Sequence, residues 1–462
     1  LEELTVVFVK NGAQISDFNL PPKTTFETSF YENSLIREEL SYDSEKLAKE
    51  AIVLLGMLNV DQRVAYQTII DCVLQEKSGF FVRLWVWWHW ENFSVECYNL
   101  SSQGTKKIVL TVASSGVAAL LLAGGRTAHS RFKIPILIDQ TTLCDIKRGT
   151  HLANLIRDTS LIIWDEALMT SRRCFECLDR TLRDLLSCDD PFLVDVPFGG
   201  EIVVLGGDFR QILPVIEGGS RPEIVDATIT NSPIWKSVLV LRLSINMRLS
   251  MPGVDPVLQQ DVALFSKWVL DLGDGKLPAT KREGESEATW IKIPDDLLIH
   301  TDGDNISAIV SSTYTDFLAN YDKPGYLRER AILTPTNEVA EKVNIYVMSL
   351  VPQSGREYLS CDSIFEAADT VKESNVFYPP EVLNAVSMIN FPEHRIFLKP
   401  GVPIMLLRNL SQANGLCNGT RLIVRELADR VIQAVIMTGS HIGNVVYIPR
   451  IELTGKKTKW PF

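Results

Sequence analysis

Two acids follow an apolar run in a way that suits phosphate and metal chemistry. Residues 161–166 read LIIWDE, an apolar stretch typical of a buried strand that ends in Asp165 and Glu166. At the carboxyl end of a parallel strand these acids would face a ligand crevice. There Asp165 would hold Mg²⁺, and Glu166 would polarise the water that attacks a γ-phosphate. The alternative is a strand that runs into an ordinary acidic turn.

A second apolar run also ends in glycines and polar residues. Residues 203–211 read VVLGGDFRQ. Gln211 is placed to sense the γ-phosphate or its attacking water, as glutamines do in other phosphate-loop enzymes. A simple Gly-Asp turn would explain the glycines, but it would not explain the order of the polar residues.

The most unusual segment is WVWWHWEN at residues 85–92, which holds four of the nine tryptophans. Tryptophan has a single codon, TGG, so a one-base shift turns each tryptophan into glycine whatever base follows. The shifted reading is G-x-G-G-[T/I]-G-[K/R]-[T/I], which contains the phosphate-binding pattern G-x-x-x-x-G-K-T. We therefore hypothesise a two-sided frameshift, in the gene or in its gene model, over roughly residues 83–102. The alternative is a genuine Trp-rich aromatic patch.

As it stands, this segment does not suit an ATP phosphate. Trp85 and Trp90 would fill a cradle that needs glycine dihedrals and close backbone approach. Glu91 places a negative charge where a lysine should meet phosphate, and Asn92 lacks the hydroxyl that would help to hold Mg²⁺. We expect that the chain in this form neither hydrolyses ATP nor unwinds DNA.

Composition bounds the function only loosely. The chain has 462 residues, 46% of them hydrophobic and 22% charged, which suits a soluble protein of two to four domains. No apolar stretch of about 18 residues occurs, so no membrane partner is expected. The net charge of −11 argues mildly against a nucleic-acid partner, although a basic groove can sit in an acidic shell. The lone C-x-x-C, Cys174 and Cys177, favours two thiols in a reducing compartment over a metal site.

The order of apolar runs predicts an α/β fold. Strands alternate with helices from residue 80 onward, which indicates βαβ units and a parallel sheet covered on both faces. A second strand and helix are predicted at 330–333 and 338–350. Between residues 402 and 453, short apolar runs separated by Asn, Gly and Pro predict a small barrel or an antiparallel sheet.

Several further motifs, together with the acid pair, carry a family resemblance. They are LNVDQR at 58–63, ASSGVAA at 113–119, GRTAHSRFKIP at 125–135, GGDFRQ at 206–211, NMR at 246–248, LTPTN at 333–337 and LKPGVP at 398–403. In combination they resemble the Pif (petite integration frequency) family of superfamily-one DNA helicases over about residues 55–460. The resemblance is strongest to the plant and Helitron-associated branch.

The resemblance implies two RecA-like P-loop motor domains, the second incomplete, with a β-rich inserted module. We expect an N-terminal extension at 1–54 and motor domain 1 at 55–250. A connector and the first part of motor domain 2 would occupy 251–400, and the β-rich module 401–462. No stretch matches the family's last helicase motif, so a truncated C terminus is expected.

The resemblance also implies roles for individual residues. Gln62 would read the adenine edge, and Arg248 would reach the γ-phosphate from the partner side of the cleft. The single-stranded DNA backbone would be contacted by hydroxyls and a few cations, namely Ser114, Ser115, Thr127, His129, Arg131 and Lys133. The ordinary alternatives are a helix cap for Gln62, a structural role for His129 and a surface ion pair for Arg248.

The implied function is ATP-dependent translocation on single-stranded DNA and duplex unwinding, with ATP and Mg²⁺ as cofactors. The implied partners are single-stranded DNA and duplex junctions. We expect a monomer, in the nucleus or alternatively an organelle, with roles in DNA repair, recombination and telomere maintenance. The rival interpretations are a degenerate, non-catalytic DNA-binding relic and a generic P-loop ATPase that does not act on nucleic acid.

Overall fold

The computed structural model describes most of the chain between residues 33 and 453. The described residues are 33–40, 49, 53, 55–75, 77–84, 107–122, 124–188, 190–216, 218–245, 256–301, 303–363, 380–385, 392–411, 414–439 and 441–453. The predicted phosphate-loop residues Trp85, Trp90, Glu91 and Asn92 lie outside them, as does Arg248.

A six-stranded parallel sheet forms the centre of the described structure. Its strands are β1 (Gly79–Leu84), β2 (Ile108–Ala113), β3 (Arg126–Thr127), β4 (Thr159–Asp165), β5 (Ile202–Gly207) and β6 (Leu239–Arg242). Their order is β3-β2-β4-β5-β1-β6, and every neighbouring pair is parallel. The predicted α/β fold class is confirmed.

Both faces of this sheet are covered, as near-continuous apolar strands require. Ile162 and Trp164 pack into one core cluster, whereas Leu161 and Ile163 pack into a second one on the other face. The covering helices are α1 (Ser34–Leu40), α2 (Val60–Leu74), α3 (Gly116–Leu121), α4 (Ala128–Arg131), α5 (His151–Arg157), α6 (Arg172–Leu186) and α7 (Arg221–Asp226).

The middle of the chain combines helices with short strands. Its elements are α8 (Pro256–Gly273), β7 (Ala279–Thr280), β8 (Trp290–Ile291), α9 (Asn305–Thr313), α10 (Phe317–Asn320), α11 (Pro324–Arg328), α12 (Asn337–Leu350), β9 (Arg356–Leu359), α13 (Pro380–Asn384) and β10 (Arg395–Leu398). Helix α12 confirms the helix predicted at 338–350.

The strand predicted at 330–333 is wrong, because these residues have no regular structure. Leu333 is 92% exposed. A strand in a parallel sheet needs a hydrogen-bonded neighbour and an apolar cover on each face, and no described strand pairs with this stretch.

The C-terminal module is a four-stranded antiparallel sheet, which confirms the predicted β-rich region. Its strands are β11 (Pro403–Met405), β12 (Arg421–Leu427), β13 (Val431–Ile436) and β14 (Val445–Pro449), paired in that order. The module touches the first domain at Gly116, where a Cβ would lie 2.3 Å from the carbonyl oxygen of Asn418. No helix within the described ranges is long and apolar enough to cross a membrane.

Candidate nucleotide and DNA site

Acidic side chains converge at the carboxyl edge of the parallel sheet. Strand β5 lies between β4 and β1, and Leu84 at the end of β1 is in register with Gly207 at the end of β5. Asp165 ends β4, and Asp208 directly follows β5. Strands β4 and β5 therefore deliver these acids to one edge, beside the end of β1, where open α/β sheets bind ligands.

Glu166 has a backbone and an electrostatic environment that suit a general base. Its φ is 49° and its ψ is 33°, the left-handed region that non-glycine residues seldom adopt. Burial raises the pKa of Glu166, and the nearby charge of Asp208 raises it further. A raised pKa brings a carboxylate closer to the working pH of a proton acceptor.

Gly207 lets β5 approach the short 3₁₀ helix that follows Glu166. A Cβ at position 207 would lie 2.8 Å from the Leu168 side chain, so only glycine fits without a shift of that side chain. This close approach sets Asp208 beside Glu166. Sequence reasoning missed Asp208, although an acid directly after a strand was the same signal that singled out Asp165.

The turn after Asp208 holds Gln211 at the exposed rim of the crevice. The Gln211 amide donates to the Asp208 carbonyl at 3.0 Å, and the Arg210 amide donates to the Asp208 carboxylate at 3.0 Å. Arg210 Nε also donates to Asp274 Oδ1 at 2.5 Å, which ties the turn to the chain after α8. A γ-phosphate role for Gln211 stays a prediction.

The metal prediction has only partial geometric support. Asp165 is 9% exposed at the edge, but the described residues contain no group of three or more His, Cys, Asp or Glu side chains arranged to hold a metal. In phosphate-loop enzymes the nucleotide's phosphates and water supply several of the Mg²⁺ ligands. The protein then needs fewer than three carboxylates to hold the ion. Mg²⁺ binding by Asp165 remains a prediction.

Gln62 caps helix α2. Its Oε1 accepts from the Asn59 amide at 2.9 Å, and Asn59 Oδ1 accepts from the Gln62 amide at 2.9 Å. This reciprocal arrangement is a capping box, the ordinary alternative left open for Gln62. The side chain is buried, and a contact with adenine stays a prediction.

A cavity of about 440 Å³ lies beside this cap. Its lining is mostly apolar, namely Leu58, Asn59, Val60, Arg63, Val64 and Ile245. The Asn59 Nδ2 is buried with no hydrogen-bond partner among the described residues, and a buried donor left unpaired is costly. Apolar walls and an orphaned amide donor fit a purine base, so the base end of ATP fits this chain. Sequence reasoning missed Asn59.

Ser114 and Ser115 are engaged within the protein. Ser114 Oγ accepts from Trp164 Nε1 at 2.9 Å and from Thr170 Oγ1 at 2.7 Å, which uses both of its acceptor positions. Ser115 Oγ accepts from the Ala118 amide at 3.1 Å and caps α3. Ser114 therefore joins the end of β2 to the strand that carries the acid pair, and DNA contacts by either serine stay predictions.

Other predicted DNA contacts lie at or near the surface of one short segment. Lys133 is exposed, with a φ of 52°, and Thr127 is half-buried at the start of α4. His129 is exposed as a residue, while its Nε2 lies 3.9 Å from Cys174 Sγ. Desolvation of the ring lowers the pKa of His129, so the imidazole is neutral at physiological pH.

Arg131 does not lie with these surface residues. Its side chain is buried and forms an ion pair with Glu39 of helix α1. A phosphate contact by Arg131 is therefore not open in this structure, because the guanidinium faces the protein interior. The sequence pattern gave no sign of Glu39, since residues 1–54 carry no strong periodicity.

Comparisons with known proteins agree on one family. A model of the PIF1-like helicase family matches residues 57–283, and a model of the 2B domain of DNA helicase Pif1 matches residues 381–427.

The ATP-dependent DNA helicase PIF1 of Trypanosoma brucei brucei is 24% identical over 377 residues, covering 74% of this chain and 38% of that protein. The ATP-dependent DNA helicase Pif1 of a Psychrobacter species is 34% identical over 117 residues, covering 25% of this chain and 16% of that protein. The chain thus spans well under half the length of these two relatives.

The fold is similar to that of a solved helicase structure. It is described as the structural basis for DNA unwinding at forked double-stranded DNA by two coordinating Pif1 helicases. The two chains superpose with a TM-score of 0.51 and 19% identity, over 85% of this chain and 76% of the other. The PIF1-like helicase model spans the residues of the acid edge, and the 2B-domain model matches part of the C-terminal half, so the chain is similar to PIF1-like helicases in both halves.

Proposed function

We propose that this chain has the motor core of an ATP-dependent DNA helicase, whose form with an intact phosphate loop couples nucleotide hydrolysis to translocation on single-stranded DNA and to duplex unwinding. The observation that carries the proposal is the convergence of Asp165, Glu166 and Asp208 at the sheet edge where β1 leads into residues 85–92. Similarity to PIF1-like helicases over residues 57–283 supports the same conclusion.

Each group at this edge has a distinct part in the proposal. Bound ATP with Mg²⁺ supplies the phosphoryl group whose transfer to water drives the motor. Glu166 accepts the proton of the attacking water, Asp165 helps to hold Mg²⁺, and Gln211 orients the water. Arg248 completes the charge stabilisation from the other side of the cleft.

Residues 85–92 do not fit the phosphate end of the nucleotide as they stand. Four tryptophans and Glu91 occupy the positions where glycines and a lysine would be needed. We propose that a local frame change produced this segment and that the chain in this form lacks ATP hydrolysis. Binding of single-stranded DNA would persist, because Thr127 and Lys133 lie outside the altered segment.

The biological setting is also a proposal. The combined motifs resemble most the plant and Helitron-associated branch, which we propose as the branch of this chain. Roles in DNA repair, recombination and telomere maintenance follow from the family, with action at duplex junctions as a monomer. A nuclear location is favoured over an organellar one.

The functional test restores the phosphate loop. The restored chain carries glycine for Trp85, Trp87, Trp88 and Trp90, together with His89→Thr, Glu91→Lys and Asn92→Thr. We expect hydrolysis of ATP stimulated by single-stranded DNA, and a DNA affinity that changes with bound nucleotide. Hydrolysis that DNA does not stimulate would favour a generic ATPase. DNA binding that ignores nucleotide in both chains would favour the non-catalytic relic.

The frame change itself is tested by sequencing the transcript across codons 83–102. A message that encodes G-x-x-x-x-G-K-T places the error in the gene model. A message that keeps the TGG codons in frame means that the protein is made without a phosphate cradle.

A further inference from the structure

Helix α1 makes two ion pairs with the segment that carries the predicted DNA contacts. Glu38 pairs with Arg126 at 2.6 Å, and Glu39 pairs with Arg131. Arg126 opens this segment in β3 and Arg131 ends α4, so two successive carboxylates hold both ends of a short stretch. We call residues 126–133 the DNA segment.

The two pairs differ in burial. The side chains of Arg131 and Glu39 are 2% and 3% exposed, whereas that of Glu38 is 53% exposed. Leu35 and Ile36 of the same helix pack against the large core cluster, and Asn33 Nδ2 donates to the His151 carbonyl at 2.5 Å. Helix α1 is therefore an integral part of the first domain.

The buried pair is poorly suited to a purely stabilising role. Arg131 Nε and Glu39 Oε2 are both buried without a hydrogen-bond partner among the described residues. Burial raises the pKa of Glu39 despite the opposing charge of Arg131. Removing two charges from water often costs as much as their attraction returns, so a buried pair of this kind is better explained by the geometry it imposes.

Helix α1 either covers the DNA-facing surface of the segment or lies behind the segment. The exposure of the neighbouring side chains distinguishes these two arrangements. Lys133 and His129 remain exposed in the presence of the helix, while Arg131 between them points into the protein towards Glu39. A helix that covered the DNA-facing surface would have buried Lys133 and His129 as well. Helix α1 therefore supports the DNA segment from behind.

We propose that Glu39 is a positioning residue for single-stranded DNA binding: through Arg131 it fixes the DNA segment so that Thr127 and Lys133 face the strand. This inference rests on the proposed function for its DNA partner. It assigns Arg131 an indirect role, because the guanidinium orients the segment and does not touch phosphate.

The test compares Glu39→Gln with the matched control Glu38→Gln, which neutralises the adjacent exposed carboxylate. Hydrogen exchange of amides 126–134 and the affinity for fluorescent oligothymidylate are measured for the whole chain. We expect Glu39→Gln to speed exchange in the DNA segment and to weaken DNA binding about tenfold, as when only about a tenth of the molecules hold the competent geometry. Glu38→Gln should leave both readouts near those of the unchanged chain.

Arg131→Gln separates positioning from direct contact. A positioning role weakens binding but leaves the slope of log affinity against log salt unchanged. Loss of a phosphate contact would instead reduce that slope by about 0.7. The double variant Glu39→Gln/Arg131→Gln leaves no uncompensated buried charge, so its exchange should lie closer to that of the unchanged chain than either single variant does. If Glu39→Gln fails to fold, the double variant carries the same measurements, and exchange and DNA affinity close to those of the unchanged chain, with an unchanged salt slope, are then expected.

Three results would overturn the proposal: unchanged exchange in Glu39→Gln, tighter DNA binding in Glu39→Gln, or a reduced salt slope in Arg131→Gln. Tighter binding would mean that α1 shields the DNA face. If the unchanged chain binds no single-stranded DNA, the proposed function fails for this chain, and the exchange data still decide whether Glu39 orders the segment.

Discussion

The two sides of the candidate nucleotide site differ in kind. On the side of β4 and β5, Asp165, Glu166 and Asp208 follow buried strands and meet at one edge. On the side of β1, an equally regular strand leads into WVWWHWEN, whose side chains suit neither phosphate nor Mg²⁺. Strand β1 is regular up to Leu84, and the sequence that follows it does not suit a phosphate loop.

This contrast distinguishes a single local event from gradual decay. A chain without selection would accumulate changes throughout, including buried polar groups and broken core positions. Here the capping box before the altered segment and the Ser114 hydrogen bonds after it are complete. The pattern agrees with a change of reading frame over about 20 residues.

The largest expected effect concerns Glu166, on the side of the site formed by β4 and β5. In the restored chain, Glu166→Gln should lower DNA-stimulated ATP hydrolysis by about 10²- to 10⁴-fold, because it removes the proton acceptor. Nucleotide affinity should change little, since the amide has nearly the same shape. Phosphate release and nucleotide titration measure the two quantities. Hydrolysis that survives the substitution would remove Glu166 from its proposed role.

A second prediction tests how the acid edge is held. Ser114→Ala removes the acceptor for the fully buried Trp164 indole N–H and for Thr170. Leaving such a donor unpaired should lower the free energy of unfolding by about 1–3 kcal/mol, measured by denaturant titration. Ser115→Ala, which loses only a helix cap, is the control at about 1 kcal/mol. If Ser114→Ala weakened DNA binding while leaving stability unchanged, Ser114 would belong to the DNA surface.

A third prediction concerns the pKa of Glu201, which lies at the end of β5 opposite to the edge acids. Burial raises the pKa of Glu201 from 4.5 to about 8. A raised pKa means that the folded chain holds this proton more tightly than the unfolded chain does. The stabilisation is complete below pH 4.5 and is lost as the pH rises through about 8. Glu201→Gln should therefore gain stability relative to the unchanged chain between pH 5 and pH 9.

Thermal unfolding at a series of pH values measures this difference. Equal pH dependence in both chains would mean that Glu201 titrates normally. Glu166 should not obscure the result, because it is present in both chains.

The smallest expected effect concerns the DNA surface. Lys133→Ala should weaken binding of single-stranded DNA about equally for all base sequences and lower the salt slope by about 0.7, the loss of one phosphate contact. Lys236→Ala, at an exposed lysine shortly before β6, is the control. An unchanged salt slope in Lys133→Ala would place the DNA path elsewhere.

Sequence reasoning recovered most of the first domain, because its signals are local. The run LIIWDE predicted both the strand and its acids, since a parallel strand buried on both faces must be apolar until it reaches the ligand edge. The antiparallel module was recovered from short apolar runs between turn residues. Asp208 followed the same rule and was overlooked.

What sequence reasoning could not supply was side-chain direction. A motif places Arg131 beside Lys133, but only the packing of α1 shows that one points inward and the other outward. Ser114 likewise carries no sign of its bond to Trp164, because the two residues are 50 positions apart. The failed strand at 330–333 has the same cause, since apolar residues alone do not provide the neighbouring strand that they need.

Nucleotide binding to the two forms of the chain tests the central claim most directly, because it requires the first domain but not turnover. A fluorescent ADP analogue with Mg²⁺ is titrated into the chain as it stands and into the chain with the restored loop. The account predicts no saturable binding to the former and micromolar binding to the latter. Equal binding by both chains, or none by the restored chain, would contradict the claim that the loop at residues 85–92 is what prevents nucleotide binding and that its restoration is sufficient.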